Sequence, residues 1–354
     1  MRITTLQIHH LRSIHSAQLS LHPRCNFFYG NNGSGKTSLL ESVYLLGSGH
    51  SFRTRETTPL IQSLESTLTV FGRADNDDSI SIQKSLSGAT KVQLNGQPCY
   101  SSSDLAHHLP CQVCYQDIFQ IIDAGPSVRR MVLDWGLFHV EHMYHTVWKN
   151  YRWVLRQRNA LLRQQARHAH IVPWDNQLVE LGGTLHEMRS RYFERWQAQF
   201  QMVLAQLTDV SCGIFYYKGW DKKESGRTLH EVLNEQLSSD LQRQYTQSGA
   251  HQADIYFELS SKKAKQGLSR GQQKIVLIAL KLAQAALVPK PCVYLLDDLM
   301  AELDADHQAR LMTCLQTING QLFFTAMDDK GLRGWNAEIE CGEFVIEQGA
   351  FLKK

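Results

Sequence analysis

The sequence has no apolar run long enough to span a membrane. Its longest, from Ile275 to Val288, is interrupted by Lys281 and falls short of the ~20 residues a spanning helix needs. The amino-terminal stretch MRITTLQIHHLRS alternates in the manner of a strand and lacks the apolar core of a secretory signal. A cytoplasmic protein is expected. There is no excess of one charge: 37 Lys and Arg against 34 Asp and Glu leave a net charge of +3. Contact with nucleic acid would therefore have to come from local patches. The eight cysteines are scattered, and only Cys111 and Cys114 have zinc-like spacing, with no second pair nearby. Reduced thiols are expected, with those two in an apolar strand. What is present is ordinary for a globular chain: 354 residues, 43% hydrophobic and 20% charged, enough for two or three domains.

The stretch Tyr29 to Leu40 organises the rest. Within it Gly30, Asn31, Asn32, Gly33, Ser34, Gly35, Lys36 and Thr37 fit the phosphate-binding pattern G-x-x-x-x-G-K-[ST], and Ser38 follows. The apolar run Cys25 to Tyr29 predicts a buried strand before it, and Ser38 to Leu46 predicts a helix after it. Glycines let the backbone turn its N–H groups inward, and the helix N-terminus adds a positive dipole end. In this pattern Lys36 reaches the β- and γ-phosphates of a nucleotide, and Thr37 offers its hydroxyl to Mg²⁺.

Around that loop the chain changes texture twice. Residues 1–29 predict strand, turn, strand, and the period-two pattern of 67–94, with turns at Asn76-Asp77-Asp78, Ser87-Gly88 and Asn95-Gly96, predicts a β-meander. Cys111 to Tyr115 reads as a buried strand. After Pro126 helix formers dominate to about Ala205, with helices expected over 152–165 and 177–201. Ile171 to Asp175, containing Pro173, reads as the break between them, with Asp175 as the N-cap. A short strand at 214–217 and a helix at 229–246 follow. Strands return at 253–259, 293–296 and 322–325, and helices at 272–287 and 305–315. Lys262, Lys263 and Lys265 form a small basic loop.

Two further motifs bear on chemistry. Val293 to Asp298 is four apolar residues followed by two acids, the Walker B arrangement. Its strand is expected beside the strand of the phosphate loop, with Asp297 at the Mg²⁺ and Asp298 placed to take a proton from an attacking water. Leu268-Ser269-Arg270-Gly271-Gln272 resembles the ABC-type signature L-S-x-G-Q. Ser269 would cap the helix, Gly271 would let backbone approach a phosphate, and the helix dipole favours negative charge there. His139, His142 and His145 do not match H-E-x-x-H and read as one polar helix stripe. Arg152, Arg156, Arg158 and Arg163 could face DNA phosphates or simply solvent.

The whole chain resembles the RecF family of bacterial recombinational-repair ATPases, in the SMC/ABC class. The supporting stretches are GNNGSGKTSLLE, GHSFRT, RQRNALLR, WDNQLVELGGTLHEMRSRYF, LSRGQQK and LLDDLMAELD, in family order. The resemblance implies an α/β fold: an ABC/SMC-type P-loop ATPase head with a β-meander, from residues 1–125 and 250–354, carrying a mostly helical arm inserted at 126–249. It implies ATP and Mg²⁺ as cofactors and weak, DNA-stimulated hydrolysis of ATP to ADP and phosphate. It implies homodimers that form with ATP on DNA gaps or junctions, with RecO and RecR as partners in recombinase loading and SOS induction. By the same resemblance Arg12 lies near the nucleotide, and Gln116 is the glutamine that senses Mg²⁺ and γ-phosphate. Ser269, Gly271 and Gln272 cover the phosphate held by the other subunit, and Asp304 acts across the dimer. The chain departs from the family at Tyr115-Gln116-Asp117, where Pro-Glu-Asp is usual. It departs again at Gly249-Ala250-His251-Gln252, where Gly-Pro-His-Arg is usual.

The three motifs are shared with the ATP-binding subunit of membrane transporters. Against that alternative stand Asp298 where transporters use Glu, Thr325 near the position of their switch histidine, and the long helical insert. A metabolic P-loop kinase has no reason to carry the L-S-x-G-Q helix.

Overall fold

The structure, a computed structural model, describes residues 1–259, 262–263, 267–328, 335 and 339–354, with the backbone alone at 116–117 and 262–263. Lys265 of the expected basic loop lies outside the described residues. The chain forms two compact units: Met1–Ile118 with Gln206–Thr208 and Val288–Lys354, and Phe119–Ala205 with Asp209–Leu287.

The first unit holds two six-stranded sheets. One is antiparallel, built from β1 (Ile3–Leu11), β2 (Ile14–Ser20), β4 (Thr67–Ala74), β5 (Ser79–Ser85), β6 (Thr90–Leu94) and the short β7 (Gln97–Pro98) in the order β2-β1-β4-β5-β6-β7. Its alternating residues explain it: Leu68, Val70, Ile80 and Ile82 are fully buried while their neighbours are not. The other combines β3 (Cys25–Tyr29), β8 (Cys111–Cys114), β12 (Cys292–Leu296), β13 (Gly320–Ala326), β14 (Gly342–Glu347) and β15 (Ala350–Lys353) in the order β15-β14-β3-β13-β12-β8. All its pairings are parallel except β14 with β15. β3 and β12 are buried at every position and, apart from Asn26, apolar or aromatic throughout, as a sheet covered on both faces requires.

Helix α1 (Lys36–Ser48) follows β3 through the glycine loop. Leu39, Leu40, Val43, Leu45 and Leu46 are fully buried in the core shared with both sheets, each contributing about 1.5–3 kcal/mol relative to exposure. This core fixes the axis of α1, and so the direction in which its N-terminus points. The order of the parallel strands departs from the expectation. β13 lies between β3 and β12, so the Walker B strand is one strand removed from the phosphate-loop strand rather than beside it.

The first unit also holds α2 (Ser102–His108). The second unit is mostly helical: α3 (Gln120–Asp123), α4 (Pro126–Val140), α5 (Tyr144–Arg163), α6 (His168–Leu207, as far as Ala205), α7 (Leu229–Arg243) and the helix Arg270–Ala286, with a small sheet of β9 (Gly213–Tyr217), β10 (Asp254–Leu259) and β11 (Lys262–Lys263). Residues 250–287, read from sequence with the sheet domain, pack here instead. β10 pairs with β9, the Gln284 amide donates to the Val132 carbonyl (2.7 Å), and the Trp196 indole N–H to the Leu280 carbonyl (3.0 Å). Pro173 does not break the chain; it lies inside α6. At that depth its missing N–H removes only a bond near the helix start. Asp175 is not a cap. It is buried and accepts a hydrogen bond from the Arg158 guanidinium, whose other contacts are Asp240 (2.7 Å) and the Thr246 hydroxyl (2.8 Å). Arg158 is therefore fully buried, excluded from DNA contact, while Arg152, Arg156 and Arg163 are exposed. His139 lies in the last turn of α4, His145 in the first turn of α5 and His142 between the two helices, so the three form no single stripe.

Candidate functional site

The carboxyl ends of the parallel strands converge on a pocket of about 240 Å³ lined by Ser13, Asn32, Gly33, Gly35, Lys36, Thr37, Ser38, Arg53 and Asp298. Such a location, beyond the strand ends of an α/β sheet, is where this architecture places ligands. Gly35 caps α1 with φ +116°, a left-handed conformation that disfavours any side chain. No side chain caps α1 and no acid stands in its first turn, and the residues at its start, Gly35, Lys36, Thr37 and Ser38, line the pocket. Gly30 is needed for another reason: a Cβ there would lie 2.4 Å from the Ile346 carbonyl oxygen. Asn31 and Ser34 close the loop through a Ser34 N–H to Asn31 carbonyl bond of 3.1 Å. Lys36 is 5% exposed, and its Nζ donates to the carbonyls of Gly30 (2.6 Å) and Asn31 (3.2 Å).

Asp297 reaches this loop across β13. Its carboxylate accepts from the Thr37 hydroxyl (2.8 Å) and from the Thr325 hydroxyl (2.7 Å), and Thr325 in turn accepts from the Asp298 N–H (2.9 Å). Thr325 thus ties the intervening strand to both acids. Asp298 has φ +46°, a left-handed backbone uncommon for a non-glycine residue. The neighbouring β8 also ends here: the Asp297 N–H donates to the Cys114 carbonyl (2.9 Å). Gln116 opens the 3₁₀ turn Gln116–Phe119 directly after β8. Cys111 and Cys114 are both buried in β8.

Arg12 is not among the pocket residues. It takes φ +51° at the β1–β2 turn, and its guanidinium grips the fully buried Glu41 of α1 through Nε and through Nη2 at 2.8 Å. The Ser51 hydroxyl also donates to Glu41. Its neighbour Ser13 lines the pocket instead. Asp304 is exposed and caps the helix Ala305–Thr317, accepting from the His307 N–H (2.9 Å). Those hydrogen bonds hold its carboxyl below the usual carboxylate range.

The signature residues lie in the second unit. The helix there starts at Arg270, two residues before the expected start, because Ser269 and Gln272 form a capping box. The Gln272 N–H donates to the Ser269 hydroxyl (3.3 Å), and the Ser269 N–H to the Gln272 side-chain oxygen (3.0 Å). Gly271 is the second residue of this helix. Also in this unit, His251 is buried, with Nδ1 2.8 Å from the Tyr151 hydroxyl and Nε2 3.0 Å from the Thr246 carbonyl. Burial lowers its pKa to about 4.

Sequence reasoning did not select Ser13, Arg53 or Glu41. Arg53 sits in the GHSFRT stretch, but nothing in its local pattern distinguishes a pocket cation from a surface one.

A phosphate loop on a mixed α/β sheet, with an acid pair at the end of a second strand, is the arrangement of a P-loop nucleotide-binding head. The RecF/RecN/SMC N terminal domain family matches residues 2–341. The chain is 38% identical over 360 residues to the DNA replication and repair protein RecF of Pseudomonas entomophila, covering 99% of this chain and 97% of that one. It is also 38% identical to the protein of the same description from Azotobacter vinelandii, covering 96% and 95%. The chain belongs to the RecF family of DNA replication and repair proteins. Among solved structures, RecF with ATP, described as a recombination mediator protein, has a TM-score of 0.84 at 24% identity, covering 100% of this chain and 97% of that one. The head domain of Smc from Pyrococcus furiosus has a TM-score of 0.61 at 14% identity, covering 100% and 96%. Both are likenesses of fold. Family membership decides against the transporter-subunit reading. No helix among the described residues is long and apolar enough to cross a membrane.

Proposed function

We propose that the pocket at Lys36 binds ATP with Mg²⁺, and that two copies of this chain close over ATP on DNA. The carrying observation is that Lys36, Thr37 and Asp298 line one pocket while Asp297, 260 residues from Thr37 in sequence, accepts a hydrogen bond from the Thr37 hydroxyl at its edge. The donors fit these ligands. Thr37 and Asp297 offer only oxygen atoms, as Mg²⁺ prefers, and the uncapped start of α1 with Lys36 suits phosphate. Bound Mg²⁺ would offset phosphate charge. In this reading Lys36 leaves the Gly30 and Asn31 carbonyls for the β- and γ-phosphates, and Arg53 adds a second cation. Asp298 accepts the proton of the attacking water. Arg12 acts as a positioning residue through Glu41, and Gln116 senses the metal and γ-phosphate. Ser269, Gly271 and Gln272 seal the nucleotide of the partner subunit, with Asp304 acting between the two.

The reading extends to weak, DNA-stimulated ATP hydrolysis, action at gaps or single-/double-strand junctions, and partnership with RecO and RecR in the cytoplasm. Recombinase loading and SOS induction would follow from it. The solved relative described as RecF-ATP in the RecFOR pathway supports the ATP and partner readings. The helices of 126–249 would form the arm that follows DNA. Sedimentation with and without ATP and gapped duplex tests it. Wild type is expected to dimerise with ATP, more so with the duplex. Ser269→Arg should bind ATP and remain monomeric; a Ser269→Arg variant that still dimerises removes the sandwich arrangement.

A further inference from the structure

We infer that the β1–β2 hairpin carries a binding site for a divalent cation of the zinc class, built from His10, His15 and Glu65. The register His9↔Ser16 and Leu11↔Ile14 sets His10 directly opposite His15. Their rings meet edge to face with centroids 4.9 Å apart. The segment after the phosphate-loop helix completes the group. Leu11 bridges Ile61, the Gln62 N–H donates to the His10 carbonyl (2.9 Å), and the Glu65 N–H donates back to the Gln62 carbonyl (3.1 Å). That turn delivers the Glu65 carboxylate to 3.5 Å from His10 Nδ1. One ligand atom from each of the three residues lies within 4.8 Å of the others.

Three features point to a cation rather than a chance cluster. His10 Nδ1 is buried and makes no hydrogen bond, with the Glu65 carboxylate 3.5 Å away outside hydrogen-bond geometry, and buried ring nitrogens left without a hydrogen bond are uncommon. His10 holds φ +56°, so that Ile8 and Leu11, three residues apart, are both buried while its ring turns to the cluster. The donor set is two imidazoles and one carboxylate, with the Gln62 side-chain oxygen 3.2 Å from His15 Nδ1 as a fourth candidate. Imidazole nitrogen suits zinc and neighbouring transition metals and does not suit Mg²⁺ or Ca²⁺. Tetrahedral ligands at zinc distances stand about 3.4 Å apart, close to the His10–Glu65 separation. The exposed His15 can close the remaining gap by side-chain rotation.

None of these residues lines the nucleotide pocket, but the turn they flank supplies Ser13, which does. A cation here would fasten β1, β2 and the 61–65 segment around that turn. This site is independent of the proposed ATP reading. The test uses the full-length, metal-free chain titrated with Co²⁺, then Zn²⁺. One equivalent of Co²⁺ should give a visible d–d spectrum without a thiolate band, be displaced by Zn²⁺, and raise the melting temperature. His15→Ala, on the exposed member, and Glu65→Gln should abolish that equivalent, while Asp297→Asn should retain it. Absence of stoichiometric binding, binding kept in His15→Ala, or binding lost in Asp297→Asn overturns the assignment.

Discussion

Two helix beginnings in this chain are built to opposite plans. The start of α1 has glycine at its cap, no side-chain acceptor and no acid in its first turn. The start of the helix Arg270–Ala286 is closed by its own side chains, Ser269 and Gln272 satisfying each other's backbone N–H groups. The contrast separates helix ends that must stay open from helix ends that can be self-sufficient. An uncapped N-terminus normally costs stability, because its N–H groups lack partners. Here the surrounding fold bears that cost: the buried leucines of α1 hold the helix, and the Arg12–Glu41 pair anchors it laterally. The signature helix needs no such support to exist. If it meets a phosphate, as proposed, it does so with hydroxyl and amide groups that already have partners, and these must be shared or exchanged.

The largest expected effect is at the open end. Lys36→Met should lower ATP affinity roughly a hundredfold or more, following about 3 kcal/mol for lost charge-assisted hydrogen bonds. Equilibrium binding of a fluorescent ATP analogue reads this, and near-wild-type affinity would detach Lys36 from the nucleotide. Asp298→Asn asks whether the open end does chemistry as well as binding. It should leave ATP affinity intact and slow hydrolysis by roughly a hundredfold, the low end for loss of a general base, seen as a longer-lived ATP dimer. Unchanged single-turnover rates would exclude Asp298 as the base. The smallest effect is at the closed end. Ser269→Ala should cost about 1 kcal/mol of stability, the usual value of an N-cap, in denaturant unfolding. A loss several times larger would mean that the capping box supports more than its own helix.

Much of the fold was legible because its signals are local. The glycine loop, the meander turns and the period-two strands are dictated by neighbours in sequence, and the structure reproduces them. Pro173 misled because a proline near a helix start removes little, and the buried contacts of Asp175 and Ile171 outweigh it. Arg158 and Arg152 have the same residue type in the same helix, yet one is buried among two carboxylates and the other lies exposed over Trp148. Helix periodicity alone did not say which face would meet α6 and α7.

What the sequence by itself determined was the chemistry of short segments: a loop able to hold phosphate, an acid pair after a buried strand, a self-capped helix at Ser269. These depend on backbone conformations that adjacent residues impose. What only the tertiary structure decided was which distant groups meet. It placed β13 between β3 and β12, and so made Thr325 the link between Asp297 and Asp298. It turned Arg12 toward Glu41, brought Ser13 and Arg53 into the pocket, and set His10 against His15 and Glu65. Such meetings follow from strand order and the burial of whole sheet faces, which no short window of sequence contains.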